Sequence, residues 1–276
     1  MPIITFMSYD GKETGNTSAA IAISTYMSIE HNMKVLLIST GFNEETLKES
    51  FWEENPKRNI INNTVTTNGI EGLSRIITSG KIEPSTIKDY TNVVLRDRFD
   101  VLFGYKGDRE QYKIIQNVYP QLISTANQYY DMVIVDLDKK VLGKIKEEII
   151  KMTDVIVATT CQKVKEIQRL NDFINQSEFI NPQKTLITIG RYDDYLKCTA
   201  KNVTRNIFRR KTLINTMPYN GKYYEAMQEG TVIDLFLKLP RNINKKDHSY
   251  FFIQEVQRLA DSINEKWQEV QMTKSI

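Results

Sequence analysis

The chain has 276 residues, with 37 Lys and Arg against 34 Asp and Glu, so its formal net charge is only +3. Hydrophobic residues make up 41% and charged residues 26%, which is typical of a folded protein and excludes a disordered or fibrous chain. The two cysteines, Cys161 and Cys198, cannot build a disulfide framework, and with only His31 and His248 to help no zinc site is expected.

Neither a membrane span nor a secretory signal is expected. No run approaches the roughly 18–20 apolar residues of a transmembrane helix. The first residues, Met1–Phe6, lack the basic region and the long apolar region of a signal peptide. We therefore expect a cytoplasmic protein that folds as a single α/β domain over residues 1–276, a length at which one sizeable core is sufficient.

Buried apolar runs alternate with helical segments along the chain. A strand at Pro2–Met7, a polar loop, a helix at Asn16–Asn32 and a strand at Val35–Ile38 form a βαβ unit. Further strands are predicted at 100–104, 132–136, 154–158, 185–189 and 211–215, and further helices at 109–128, 143–152, 162–175 and 248–271. Pro120 is expected to kink or split its helix. Because continuous apolar strands are buried on both faces, the pattern predicts a doubly wound, mostly parallel sheet with helices on both faces.

The loop after the first strand, residues 8–18, carries a phosphate-binding pattern. Between a buried strand and a helix, backbone N–H groups and the helix N-terminus attract phosphate. The P-loop pattern G-x-x-x-x-G-K-[ST] is retained at Gly15 and Thr17, but Asn16 replaces its lysine. The Thr17 hydroxyl would ligate Mg²⁺, and Lys12 is a candidate replacement cation. The candidate nucleotide-binding residues of the loop are Gly11, Lys12, Glu13, Thr14, Gly15, Asn16, Thr17 and Ser18.

The loop and Asp136, the second part of this candidate site, each also have a purely structural interpretation. Gly15 would form a tight turn, with the Thr17 and Ser18 hydroxyls capping the helix that follows. Asp136 ends a strongly apolar strand and would contact a Mg²⁺-bound water near Thr17. The structural alternative is that Asp136 only ends a strand in contact with solvent. For the neighbouring Asp138, which begins a turn, we prefer a structural role.

Four later segments, together with the loop, resemble the ParA/MinD family of deviant Walker P-loop proteins. Residues 130–138 resemble the family's Walker B strand, which ends in an aspartate, and residues 153–160 resemble the strand that follows it. Residues 189–193 are similar to the strand that leads to the base-binding loop, and residues 217–230 to the late Pro-Tyr-Asp segment with its helix. The degenerate loop looks most like that of the TadZ/CpaE-like branch.

The departures from the family pattern concern the groups that make such proteins efficient ATPases. The family's signature lysine falls on Gly11, and its second lysine falls on Asn16. The aspartate that helps to activate water falls within Ser39-Thr40-Gly41, and the asparagine that contacts the adenine edge falls on Gly190. The resemblance therefore implies weak or non-hydrolysing binding of ATP or ADP with Mg²⁺, although the same departures also fit a protein that binds no nucleotide.

The resemblance further implies a homodimer in which the nucleotide acts as a switch. Thr17 and Asp136 would hold Mg²⁺, the carboxylate acting through water. The dimer would position or scaffold a larger protein assembly, such as pilus, secretion or conjugation machinery.

A basic stripe supports the alternative of a partition-type ATPase that binds DNA without sequence preference. Its members recur without an acidic residue between them and would contact DNA phosphates; they are Lys201, Arg205, Arg209, Arg210 and Lys211. The structural alternative is a solvated helix face, because the whole chain carries a charge of only +3.

The final predicted helix has a regular apolar face, and MinD-like proteins carry a membrane-binding helix at this place. Acidic residues on its polar face discourage docking on anionic lipid; they are Glu255, Asp261, Glu265 and Glu269. We therefore expect the apolar face to pack on the sheet, and peripheral membrane association is not favoured.

Overall fold

One eight-stranded sheet forms the framework of the computed structural model, which describes residues 1–9, 14–52, 69–208, 214–239 and 248–274. The strands are β1 (Ile3–Ser8), β2 (Val35–Ser39), β3 (Asn92–Leu95), β4 (Phe99–Leu102), β5 (Met132–Leu137), β6 (Val155–Cys161), β7 (Thr185–Tyr192) and β8 (Ile214–Pro218). Their order across the sheet is β3-β4-β2-β5-β1-β6-β7-β8. Only the pairing of β3 with β4 is antiparallel, so the predicted mostly parallel sheet is confirmed.

Helices cover both faces of this sheet. The α-helices are α1 (Asn16–Glu30), α2 (Thr46–Glu49), α3 (Gly69–Thr78), α4 (Arg109–Ile115), α5 (Tyr119–Ala126), α6 (Gly143–Met152), α7 (Val164–Gln176), α8 (Ala200–Val203), α9 (Gly221–Glu229), α10 (Val232–Lys238) and α11 (His248–Lys274). A short 3₁₀ turn, Gln116–Val118, separates α4 from α5 just ahead of Pro120. The helix predicted at 109–128 is therefore split, because proline lacks the N–H that a continuous helix needs.

Alternate residues of the strands point into two cores, one on each face of the sheet. On β1, Ile4 and Phe6 pack in the layer that contains α1, α9, α10 and α11, whereas Ile3 and Met7 face the layer of α3–α7. Because both faces are covered, the strands are buried throughout and read in the sequence as continuous apolar runs.

Helix α11 packs its apolar face on the sheet, as the sequence predicts. Phe252, Val256, Leu259 and Ile263 are almost completely inaccessible to solvent, and the helix contacts β8 and α1. It ends at Lys274 rather than at Gln271. Among the described residues, no helix combines the length and the apolar character that crossing a membrane requires.

The topology brings the ends of distant strands together at one edge of the sheet. β1 lies between β5 and β6, and the chain leaves β1 towards β2 on one side but reaches β6 and β7 on the other. In open α/β sheets, such a reversal leaves a crevice at the carboxyl ends of the strands, where ligands bind. β8 begins at Ile214, whereas the sequence placed this strand at 211–215; residues 211–213 lie outside the described residues.

Candidate functional site

A cleft of about 510 Å³ opens at the carboxyl edge of the sheet, where β1, β2, β5, β7 and β8 end. One wall is formed by the loop after β1 and the start of α1. The other walls are formed by the turns after β2 and β5 and by the segment from β8 into α9. The lining residues used below are Thr14, Gly15, Asn16, Thr17, Ser18, Ser39, Gly41, Glu44, Asp136, Asp138, Lys139, Lys140, Arg191, Tyr219, Asn220, Tyr223 and Tyr224.

The N-terminus of α1 opens into this cleft without a side-chain cap. Gly15 precedes the helix in the left-handed region, with φ of 70°, and as a glycine it has no side chain to cap the N–H groups of the first turn. The backbone N–H groups of this first turn and the positive end of the helix dipole together attract anions. Of the predicted loop residues, Thr14–Ser18 line the cleft, whereas Gly11, Lys12 and Glu13 lie outside the described residues.

Thr17 and Asp136, predicted to act together, are in direct contact. Thr17 Oγ1 donates to Asp136 Oδ2 over 2.8 Å, and Asn16 Nδ2 donates to Asp136 Oδ1 over 2.7 Å. Asn16 is itself held by the Thr159 hydroxyl, which donates to Asn16 Oδ1 over 2.8 Å. Burial raises the pKa of the Asp136 carboxyl to about 6, although the hydrogen bonds from Thr17 and Asn16 oppose the shift by favouring the ionised form.

Asn16, at the position that the P-loop pattern gives to a lysine, carries no positive charge. Its side-chain amide donates to Asp136 and to the Phe6 carbonyl, at 2.7 and 3.3 Å, so its donors are directed into the protein. A neutral amide also lacks the charge that a lysine would bring to bound phosphates. The described cationic side chains that line the cleft come from other segments and are Lys139, Lys140 and Arg191.

Gly190 lies where the resemblance places an adenine-binding asparagine, and the packing explains its identity. A Cβ on Gly190 would come within 1.9 Å of the Thr14 carbonyl oxygen and 3.4 Å of Gly15 Cα. A backbone approach this close leaves room only for glycine at this position. The end of β7 is therefore packed directly on the loop after β1.

The turn after β2 uses its hydroxyl groups to hold the backbone. Ser39 Oγ accepts from the Gly41 N–H over 3.1 Å, while Thr40 Oγ1 donates to the Asp136 carbonyl and accepts from the Asp138 N–H. The stretch Ser39-Thr40-Gly41, where the resemblance places an aspartate, thus offers no carboxylate. Asp138 begins the next turn by accepting from the Lys140 N–H over 2.6 Å, in agreement with its structural interpretation.

An aromatic wall borders the cleft after β8, and sequence reasoning reached it only through the resemblance of residues 217–230. Asn220 caps α9 by accepting from the Tyr223 N–H, and the buried Tyr223 hydroxyl donates to the Ser18 carbonyl over 2.6 Å. Tyr219 and Tyr224 lie at the mouth, with 61% and 48% of their surfaces exposed. The hydrogen bond from Tyr223 to Ser18 joins α9 to the first turn of α1.

The oxygen ligands in the cleft fit Mg²⁺ bound together with phosphate. Mg²⁺ takes oxygen ligands, usually one or two protein groups completed by water and phosphate, and Thr17 and Asp136 place such oxygens beside the α1 N-terminus. Within the described ranges, no group of three His, Cys, Asp or Glu side chains is arranged to hold a metal ion.

Only part of the basic stripe falls within the described residues. Lys201 and Arg205 are exposed, on α8 and on the π-helical turn Thr204–Phe208 that follows it. Arg209, Arg210 and Lys211 lie outside the described residues. DNA binding by this stripe stays a prediction.

Solved structures share this fold along almost the whole chain. A ParA family ATPase from Chlorobium tepidum has a TM-score of 0.68 at 14% identity and covers 94% of this chain and 98% of its own. A plasmid partition protein from Borrelia burgdorferi, bound to AMPPNP, has a TM-score of 0.60 at 16% identity and covers 99% of both chains. The septum site-determining protein MinD from Pyrococcus horikoshii, complexed with Mg-ADP, has a TM-score of 0.63 at 14% identity and covers 95% of both chains.

Sequence comparison adds no closer relative. Neither a protein-family model nor a curated protein matches the sequence. At 14–16% identity, the structural likeness establishes that the chain has the fold of ParA/MinD P-loop ATPases.

Proposed function

We propose that this chain is a ParA/MinD-like protein that binds ATP or ADP with Mg²⁺ and hydrolyses ATP weakly or not at all. It would act as a single domain that forms a homodimer when nucleotide is bound. The dimer would position a larger protein assembly. Because the degenerate loop looks like that of the TadZ/CpaE-like branch, pilus, secretion or conjugation machinery is the class of assembly that we propose.

The contact between Thr17 and Asp136, beside the N-terminus of α1, is the observation that supports nucleotide binding. The N–H groups of α1 would bind phosphate oxygens, and the hydroxyl and carboxylate would hold Mg²⁺. When bound, the ion neutralises phosphate charge. The AMPPNP and Mg-ADP complexes of proteins with the same fold support this assignment.

Weak hydrolysis is supported by what the cleft presents to the phosphates. Asn16 is neutral and directs its donors to Asp136 and Phe6. The hydroxyls after β2 are engaged in holding the backbone. Glu44 is a carboxylate in this wall, but it pairs with Lys140 over 3.3 Å. An efficient ATPase needs a group that orients the attacking water.

The dimer is tested by sedimentation velocity with Mg²⁺ and either AMPPNP or ADP. We expect the triphosphate analogue to shift the wild-type protein from monomer to dimer and the Thr17→Ala variant to stay monomeric. Thr273→Ala, which changes an exposed threonine on α11, is the matched control and should dimerise normally. A wild-type protein that stays monomeric at saturating AMPPNP would refute the proposed switch.

A further inference from the structure

We propose that Arg191 supplies the positive charge that recognises the nucleotide phosphates, the role that Asn16 cannot fill. This inference rests on the proposed nucleotide binding and adds the residue that recognises the charge of the ligand. Arg191 lines the same cleft as residues 14–18. A guanidinium is always charged and donates in a planar fork, which suits it to phosphate oxygens.

A β-bulge brings Arg191 to the cleft. Gly190 pairs with Met217 and Tyr192 with Pro218, so Arg191 is the extra, unpaired residue of β7. Bulges change the direction of a side chain and often lie beside active sites. The Arg191 amide nitrogen lies 3.6 Å from the position that a Cβ on Gly15 would occupy. The bulge therefore places the arginine directly beside the phosphate-binding turn.

The backbone of Arg191 is strained in a way that its residue type does not explain. Its φ is 49°, in the left-handed region. The other non-glycine residues with positive φ in the described ranges are Asn32, Asn43 and Asp97. Asn and Asp adopt this conformation readily, but a long side chain such as arginine does so at a cost. Strain of this kind is retained where surrounding packing enforces it, and it clusters at functional sites.

The other described cations of the cleft are less suited to this role. The Lys140 ammonium contacts Glu44 and the Phe42 carbonyl, at 3.3 and 3.4 Å. Lys139 follows β5, on the opposite side of β1 from β7. Arg191 is exposed, and its guanidinium has no hydrogen bond or ion pair among the residues that the structure describes. No described acidic side chain therefore neutralises its charge.

The test measures binding of Mg-ATP and of inorganic tripolyphosphate by calorimetry. Arg191→Asn removes the charge and keeps a residue that accepts the left-handed backbone. We expect this substitution to lower the affinity for both ligands about tenfold or more, because a charged hydrogen bond is lost. The thermal midpoint should stay within about 2 °C of the wild type. Arg191→Lys should retain most of the affinity, and Lys197→Asn, which removes an exposed charge after β7, should bind normally.

A charge restored in the loop provides a second readout. If the arginine provides the missing cation, Asn16→Lys should strengthen binding by clearly more in the Arg191→Asn background than the roughly tenfold expected in the wild type, so the two substitutions should be non-additive. If Arg191→Asn binds Mg-ATP and tripolyphosphate as tightly as the wild type does, the inference is overturned and the proposed function stays intact. Weakened ATP binding with unchanged tripolyphosphate binding would also overturn it, because the arginine would then contact the base. A wild-type protein that binds neither ligand would contradict both proposals.

Discussion

The Asp136 carboxylate is buried and receives its described side-chain hydrogen bonds from the neutral groups of Thr17 and Asn16. Burial raises its pKa from an ordinary value of 3.8 to about 6, and the like charges of Asp138 and Glu44 add to the shift. The folded protein therefore holds this proton more tightly than the unfolded chain does. Ionisation of Asp136 makes the folded state less favourable, and a cation in the cleft would relieve that cost.

Removing this carboxylate should stabilise the protein that is free of metal and nucleotide. As the pH rises from about 4 to about 6, the wild type should lose up to about 3 kcal/mol, or roughly two pKa units at 1.36 kcal/mol each. Asp136→Asn removes this loss, and the Thr17 hydroxyl can rotate to accept from the new amide. Urea unfolding of both proteins between pH 4 and 7 measures the difference. If the difference in unfolding free energy between the two proteins does not change with pH, the raised pKa of Asp136 is contradicted.

Restoring the P-loop lysine should strengthen binding without restoring hydrolysis. An Asn16→Lys ammonium would add a positive charge beside the phosphates, so we expect Mg-ATP to bind about tenfold more tightly. Turnover should stay close to the wild-type rate, because Ser39-Thr40-Gly41 still offers no carboxylate and Glu44 is paired with Lys140. Asn16→Gln is the uncharged control. Equal affinities of the Lys and Gln variants, or a large increase in turnover, would count against this explanation of the weak site.

The residues of the cleft were only partly predictable. The resemblance of residues 130–138 to a Walker B strand predicted that Asp136 lies near Thr17, whereas the direct hydrogen bond between them was not predicted. The hydrogen bond from Thr159 to Asn16 depends on the register between β1 and β6, which no local pattern specifies. The direction of Arg191 depends on a bulge, and an arginine in a left-handed conformation has no sequence signal.

At the scale of elements, long buried runs were predicted well and short or half-exposed ones were missed. Strands β1, β2, β5, β6 and β7 read as apolar runs because helices cover both of their faces. β3 has four residues at the edge of the sheet, and Val93 is 58% exposed, so its sequence gives little apolar signal. Helices α3 and α10 were also not predicted from periodicity, and they have only ten and seven residues.

Helix α11 should act as part of the core rather than as a membrane anchor. Phe252→Ala leaves a cavity between this helix and its neighbours and should lower the free energy of unfolding by about 3–5 kcal/mol. Met272→Ala, at an exposed position of the same helix, should change it by less than about 0.5 kcal/mol. Urea unfolding measures both variants. Co-sedimentation of the folded wild type with anionic vesicles would show instead that the helix leaves the sheet.

At the scale of the whole molecule, the strand order assembles the cleft from distant segments. Thr17 and Asp136 are separated by 119 positions, and they meet because β5 lies beside β1. Arg191 joins them from β7, two strands away from β1 on the other side. The parallel sheet was predictable from the alternation of strands and helices, whereas the walls of the cleft depend on the order of strands that are far apart in sequence.

Calorimetry of Mg-ATP binding to the wild type and to a Thr17→Ala, Asp136→Ala double variant tests the central claim most directly. We predict that the wild type binds and that the double variant, confirmed as folded by its thermal transition, does not bind measurably. The two substitutions remove the hydroxyl and the carboxylate that would hold Mg²⁺ and leave the backbone donors of α1 in place. Absence of wild-type binding at millimolar ATP, or undiminished binding by the double variant, would contradict nucleotide recognition in this cleft.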